Sequence, residues 1–224
     1  ADDTSTETAV IDSYTQVDNK MIQKKFKRIY EANKDYIGWL YITGTQIDYP
    51  VMQTIDDEEY YIKRDFYKKS ASYGTLFMDA QSAIGIFNPE TESLDSYYTS
   101  NMIIYGHNMK SGTMFHDLMK FEDEVFYNAH KYINFDTIYE NGTYEVIAAF
   151  RTKIYPEDSQ VFKYYNYESI NSSEDFDTYI TNIKSLTPYT IDVDAKYGDT
   201  VITLSTCAYH TEEGRFVVVA KKID

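Results

Sequence analysis

Apolar and polar residues alternate over much of this chain, the mark of half-buried strands, while a spacing of three to four appears in only a few stretches. Val17, Met21, Phe26 and Ile29, interleaved with Lys20, Lys24, Lys25, Lys27 and Arg28, predict a basic helix over 17–36 with a solvated charged face. "GWLYITGTQIDYPVMQ" predicts a strand pair around Gly44, and "DDEEYYIKRDFY" a short helix. "GTLFMDAQ" and "NMIIYGHN" predict buried strands, with the polar, punctuated stretch 82–100 between them as a surface loop.

"KYINFDTIYENGTYEVIAAFRTKIY" predicts a hairpin, its two alternating runs joined at Asn141-Gly142, a pair suited to a type I′ turn. Ser172 with Asp175 three residues on, followed by Phe176, Tyr179, Ile180 and Ile183, predicts a capped amphipathic helix over 172–186. Two strands, "DTVITLSTC" and "RFVVVAKKI", close the chain around "AYHTEEG". Residues 1–16 carry no apolar periodicity and are expected to be a flexible lead-in, with 17–224 a single domain.

Composition narrows the partners. Among 224 residues, 36 Asp and Glu against 21 Lys and Arg give a net charge of −15, the wrong sign for a nucleic-acid partner. The 24 Tyr and 12 Phe suit broad, half-buried sheet surfaces, so a mainly β fold follows. One cysteine forms no intramolecular disulfide. No His-x-x-x-His or Cys-x-x-Cys spacing calls for a metal, and no cofactor is implied.

That cysteine, Cys207, ends a strand in "TLSTCAYH". Alternation puts Val201, Thr203, Ser205 and Cys207 on one face of the first strand, and in the second strand Arg215, Val217 and Val219 share a face. Paired as an antiparallel hairpin, the two strands bring Cys207 and Arg215 to one loop mouth, where a guanidinium favours the nucleophilic thiolate. Singly, a lone cysteine is more often a core residue and an arginine opening a strand a solvated one. A nucleophile also needs a base. His116 and His130 lie in a helix-like stretch; His210 is near in sequence; His107 follows an apolar strand and a glycine, and chemistry ranks it first by a small margin.

Taken together, "TLSTC", "RFVVVAK" and the upstream "YGHNM" resemble the sortases, Gram-positive cell-surface transpeptidases. "GWLYITGTQIDYPVMQ", "EEYYIKRDFYKKSASYGTLFMD" and "YGHNMKSGTMFHDL" extend the resemblance to class B over roughly Asn33 to the C-terminus. Two departures are the polar insertion from Ser82 to Ser100 and "AQ" after "FMD", where the family commonly has a basic residue.

The resemblance implies a closed eight-stranded β-barrel with N-terminal helices and a long helix before the penultimate strand. It implies Cys207 as nucleophile, His107 as acid and base, and Arg215 as oxyanion donor, with the Ala208 N–H as a candidate second donor. Ser205, Thr206 and Ala208 are then substrate contacts. The implied partners are surface proteins bearing a sorting motif and an amine acceptor on a peptidoglycan precursor or pilin. An anchor upstream of Ala1 would hold the enzyme at the outer face of the membrane. A hydrolytic cysteine peptidase and a non-catalytic β-rich adhesin are the competing readings.

Overall fold

The strand-forming alternation closes on itself. In the computed structural model, which describes residues 13–88, 90–91 and 93–224, the strands in chain order are β1 (Tyr14–Val17), β2 (Lys20–Gln23), β3 (Tyr36–Tyr41), β4 (Asp48–Met52), β5 (Leu76–Met78), β6 (Ile84–Asn88), β7 (Ser93–Tyr98), β8 (Asn101–Tyr105), β9 (Tyr132–Thr137), β10 (Thr143–Lys153), β11 (Val201–Cys207) and β12 (Gly214–Lys222). Eight of them close into a barrel in the order β10-β12-β11-β8-β5-β4-β3-β9. Pairing is antiparallel except for β4 with β5 and β8 with β11. The fold is the mainly β, eight-stranded barrel expected, and the helix Ser173–Leu186 precedes its penultimate strand.

Two cores explain why the closing strands are apolar on both faces. Ile202, Leu204, Phe216, Val218 and Ala220 join the large cluster inside the barrel. Their alternates Val201, Val217 and Val219 pack outside it, against Phe176, Tyr179, Ile180 and Ile183 of the helix Ser173–Leu186. Fully burying such a side chain contributes about 1.5–3 kcal/mol. Ser172 caps the helix, its hydroxyl accepting the Asp175 N–H at 3.0 Å, so the long helix starts where the capping pattern places it.

Four expectations are corrected. The helix over 17–36 is largely a hairpin: β1 pairs with β2, and only Lys24–Phe26 (3-10) and Lys27–Ala32 (α) are helical. Asp18, at φ +54°, makes the turn that the lysine periodicity conceals; Asp tolerates this conformation at low cost. Residues 14–16, expected in the lead-in, belong instead to β1, while residues 1–12 lie outside those described.

The surface loop over 82–100 contains the hairpin β6–β7. Phe87 on β6 is buried and stacks on Tyr14 at 4.1 Å, a long-range contact that turns a punctuated stretch into strand. Finally, β9 and β10 pair as expected, but through a longer connection than a type I′ turn. Neither Asn141 nor Gly142 has a positive φ. Gly142 is needed for closeness instead: a Cβ there would press within 2.8 Å of the Tyr144 ring.

The 3-10 segment Phe115–Glu122 is fastened to the loop after β3 by Asp117, whose carboxylate accepts the Gln46 N–H at 2.8 Å and meets Lys120 at 2.9 Å. Burial pushes this carboxyl up, but the Gln46 N–H, Lys120 and the charge of His116 together hold it below the usual range. A depressed folded-state value stabilises above the unfolded-state value and loses that stabilisation as pH falls through the folded one. Asp117→Asn is therefore expected to cost about 1–2 kcal/mol at pH 7 and much less in acid. Urea unfolding at pH 7 and pH 3 checks both halves.

Candidate active site

The site grows from the ends of three strands. In the antiparallel register of β11 and β12, Cys207 stands opposite Arg215. On the other side of β11, parallel β8 runs as far as Tyr105 opposite Ser205, and the Gly106 N–H then donates to the Ser205 carbonyl at 3.1 Å. His107 thus emerges next to the end of the cysteine strand. Gly106 is required there, because a Cβ would collide with the Leu76 and Phe115 side chains. His107, Cys207 and Arg215 line one cleft of about 440 Å³.

Cys207 and His107 are half-buried, and the Arg215 side chain is 22% exposed, so all three are reachable from solvent. His107 Nε2 lies 2.6 Å from the Ile62 carbonyl oxygen. A carbonyl only accepts, so this nitrogen carries a proton and Nδ1 is left to exchange one. Arg215 donates one N–H to its neighbouring Gly214 carbonyl at 3.0 Å and stands 3.6 Å from the Glu213 carboxylate. A guanidinium has five N–H donors, so most of its capacity is unspent by these contacts. The arrangement supplies a thiol, a proton carrier and a cationic donor around one space, which suits acyl transfer.

The other expected contacts are engaged within the protein. The Ser205 hydroxyl pairs with the Tyr164 hydroxyl at 2.7 Å. Burial pushes that phenol up to about 12, against the lowering effect of Ser205 and of the Arg215 charge. The Thr206 hydroxyl donates to the Gly106 carbonyl at 2.7 Å, which secures the histidine loop. The Ala208 N–H, expected as an oxyanion donor, instead donates to the Gly214 carbonyl at 2.9 Å and closes the hairpin. Arg215 is thereby the expected donor with spare hydrogens.

Cleft residues that the sequence did not single out include Tyr105, Asp79 and Glu58. Asp79 is 6% exposed and accepts the Gln81 N–H at 2.8 Å. Burial raises the Glu58 carboxyl and the Asp79 charge adds to it, against the Ala80 N–H. Burial likewise pushes the Tyr105 phenol far above its ordinary value, with Tyr164, Asp79 and Glu58 adding to the shift. Tyr105 was findable, since it ends the strand that His107 follows by two residues. His210 is exposed and does not line the cleft, and His130 stacks on Phe126 at 3.9 Å.

Among the described residues no group of His, Cys, Asp or Glu is arranged to hold a metal, and no helix is long and apolar enough to cross a membrane. The chain matches the sortase domain family over residues 40–223. It is 33% identical over 214 residues to sortase B of Listeria monocytogenes, covering 95% of this chain and 79% of that one.

The structure of Staphylococcus aureus sortase B in complex with substrate superposes with a TM-score of 0.75 at 28% identity, covering 91% of this chain and 86% of that one. A sortase B complexed with triglycine gives a TM-score of 0.75 at 30% identity, covering 89% and 86%. With a family match over most of its length, a barrel shared with sortase B structures, and a thiol, imidazole and guanidinium at one cleft, the chain belongs to the sortase family as a class B transpeptidase.

Proposed function

We propose that this enzyme cuts a C-terminal sorting signal of surface proteins after a threonine and transfers the acyl group to an amine of peptidoglycan or pilin. The observation that carries the reading is the shared cleft of Cys207, His107 and Arg215. The Cys207 thiolate attacks the threonine carbonyl carbon, and the resulting oxyanion is met by Arg215. As the C–N bond breaks, His107 gives its proton to the departing amine and leaves a Cys207 thioester. An incoming amine then attacks the thioester, His107 takes the amine's proton, and the thiolate departs. Every bond formed and broken is accounted for without a cofactor.

The substrate complex of S. aureus sortase B and the triglycine complex of a sortase B support a peptide donor and an amine acceptor respectively. The same reading puts the enzyme at the outer face of a Gram-positive membrane.

A library of threonine-containing pentapeptides, incubated with and without triglycine or hydroxylamine, tests the proposal by product mass spectrometry. Amine-captured products should appear in place of the free acid. Hydrolysis alone, unchanged by either amine, would establish a peptidase instead.

A further inference from the structure

The β8–β11 ladder ends at Tyr105 and Ser205, two residues short of both His107 and Cys207. Strand ends splay easily, and nothing in the ladder itself sets how far apart those two side chains sit. Three hydrogen bonds carry the connection on to Cys207, and beyond it the Tyr209 hydroxyl makes a longer one to the Asn108 carbonyl at 3.4 Å. The Gly106 N–H reaches the Ser205 carbonyl at 3.1 Å, the Thr206 hydroxyl reaches the Gly106 carbonyl at 2.7 Å, and the Asn108 side-chain N–H reaches the Cys207 carbonyl at 2.9 Å. The last joins the residue after His107 to the peptide of Cys207 itself.

Asn108 does not choose its orientation alone. Its Oδ1 lies 2.8 Å from His116 Nδ1, and since an amide oxygen only accepts, that ring nitrogen carries a proton. A flipped amide would set two donors against each other at His116 and two acceptors at Cys207. His116 is held in turn by its own segment, where the Phe115 N–H donates to the His107 carbonyl at 2.9 Å and the Met114 N–H to the Tyr49 hydroxyl at 3.0 Å. Asn108 and Met114 also form an isolated antiparallel bridge.

We propose that Asn108, its amide oriented by His116, is a positioning residue that sets the spacing between His107 and Cys207. Because Asn108 follows His107 and grips the Cys207 carbonyl, the histidine loop cannot swing away from the thiol without breaking that bond. A displacement of about 1 Å at reacting groups costs on the order of 100-fold in rate. The inference rests on the thioester reading above, in which His107 and Cys207 react with one substrate.

The test measures two quantities: turnover of the library peptide that the native chain uses fastest, and the labelling rate of Cys207 by a methanethiosulfonate reagent, which needs no substrate. Asn108→Ala is expected to lower kcat about 30-fold with KM within about two-fold, and to slow labelling several-fold at pH 7, because His107 is no longer held where it can take the thiol's proton. Asn108→Asp should behave the same way, since a carboxylate keeps the His116 contact but gives no hydrogen to Cys207.

His116→Phe should reproduce part of the loss. His116→Asn, which offers an N–H near the position of Nδ1, should restore native rates. Should the Asn108 variants fail to fold by circular dichroism, the His116 pair decides alone. Native kcat and labelling in folded Asn108→Ala, or equal rates for His116→Phe and His116→Asn, overturn the proposal. Absence of turnover in the native chain would instead sink the thioester reading, with labelling still reporting on Asn108.

Discussion

Cys207→Ala is expected to abolish transfer, lowering turnover by about 10⁴-fold or more, because no other group in the cleft replaces the sulfur as a leaving nucleophile. The neighbouring hydroxyls are ill-suited substitutes. Ser205 is paired with Tyr164 and Thr206 with the Gly106 carbonyl, so neither is aimed by a base at a substrate carbonyl. Stability should change little, since the half-buried side chain ends its strand and the backbone pairing of β11 and β12 survives the substitution. Peptide cleavage followed by chromatography, with melting temperature alongside, checks both. Amine-captured product from the Cys207→Ala protein would remove the covalent intermediate from the mechanism.

The closing hairpin was legible because its alternation has a physical counterpart on both sides. Ile202 and Leu204 face the barrel interior while Val201 faces the helix Ser173–Leu186, so a slip of one residue would exchange the two cores. That same register places Cys207 opposite Arg215 and is local enough to read from a short stretch of sequence. The N-terminal hairpin and β6–β7 were illegible for the converse reason. Each is a short ribbon whose stability comes from packing between distant segments, as with Phe87 on Tyr14, and no local pattern announces such a contact.

The site divides along the same line. Residue types and the order of motifs pointed to Cys207, His107 and Arg215, but the groups that hold them in place have no signature of their own. The acceptor for His107 is the backbone carbonyl of Ile62, which any residue would supply. The Ala208 N–H was expected as an oxyanion donor from the family resemblance, because it follows the proposed nucleophile. The tight turn back to Gly214 consumes it. His116 read as an ordinary helix residue, and only the fold brings it to Asn108 and so to a strand end far along the chain.

Arg215→Lys separates two roles that a guanidinium beside a thiol combines. Lysine keeps the positive charge that favours the thiolate, but loses the planar fork that can bond the Gly214 carbonyl and a substrate oxygen together. Removing one donor to a developing oxyanion costs about 10²–10³ in kcat, so kcat/KM for the library peptide should fall by about that much. Melting should be nearly unchanged, because Arg215 contributes only its adjacent carbonyl bond and a 3.6 Å contact with an exposed glutamate. Methanethiosulfonate labelling of Cys207 forms no oxyanion and depends on the thiolate alone. It should stay within a few fold of native while acyl transfer collapses. Labelling that falls in parallel with transfer would assign Arg215 to the thiolate rather than to the oxyanion, and native turnover would leave it no part in the chemistry.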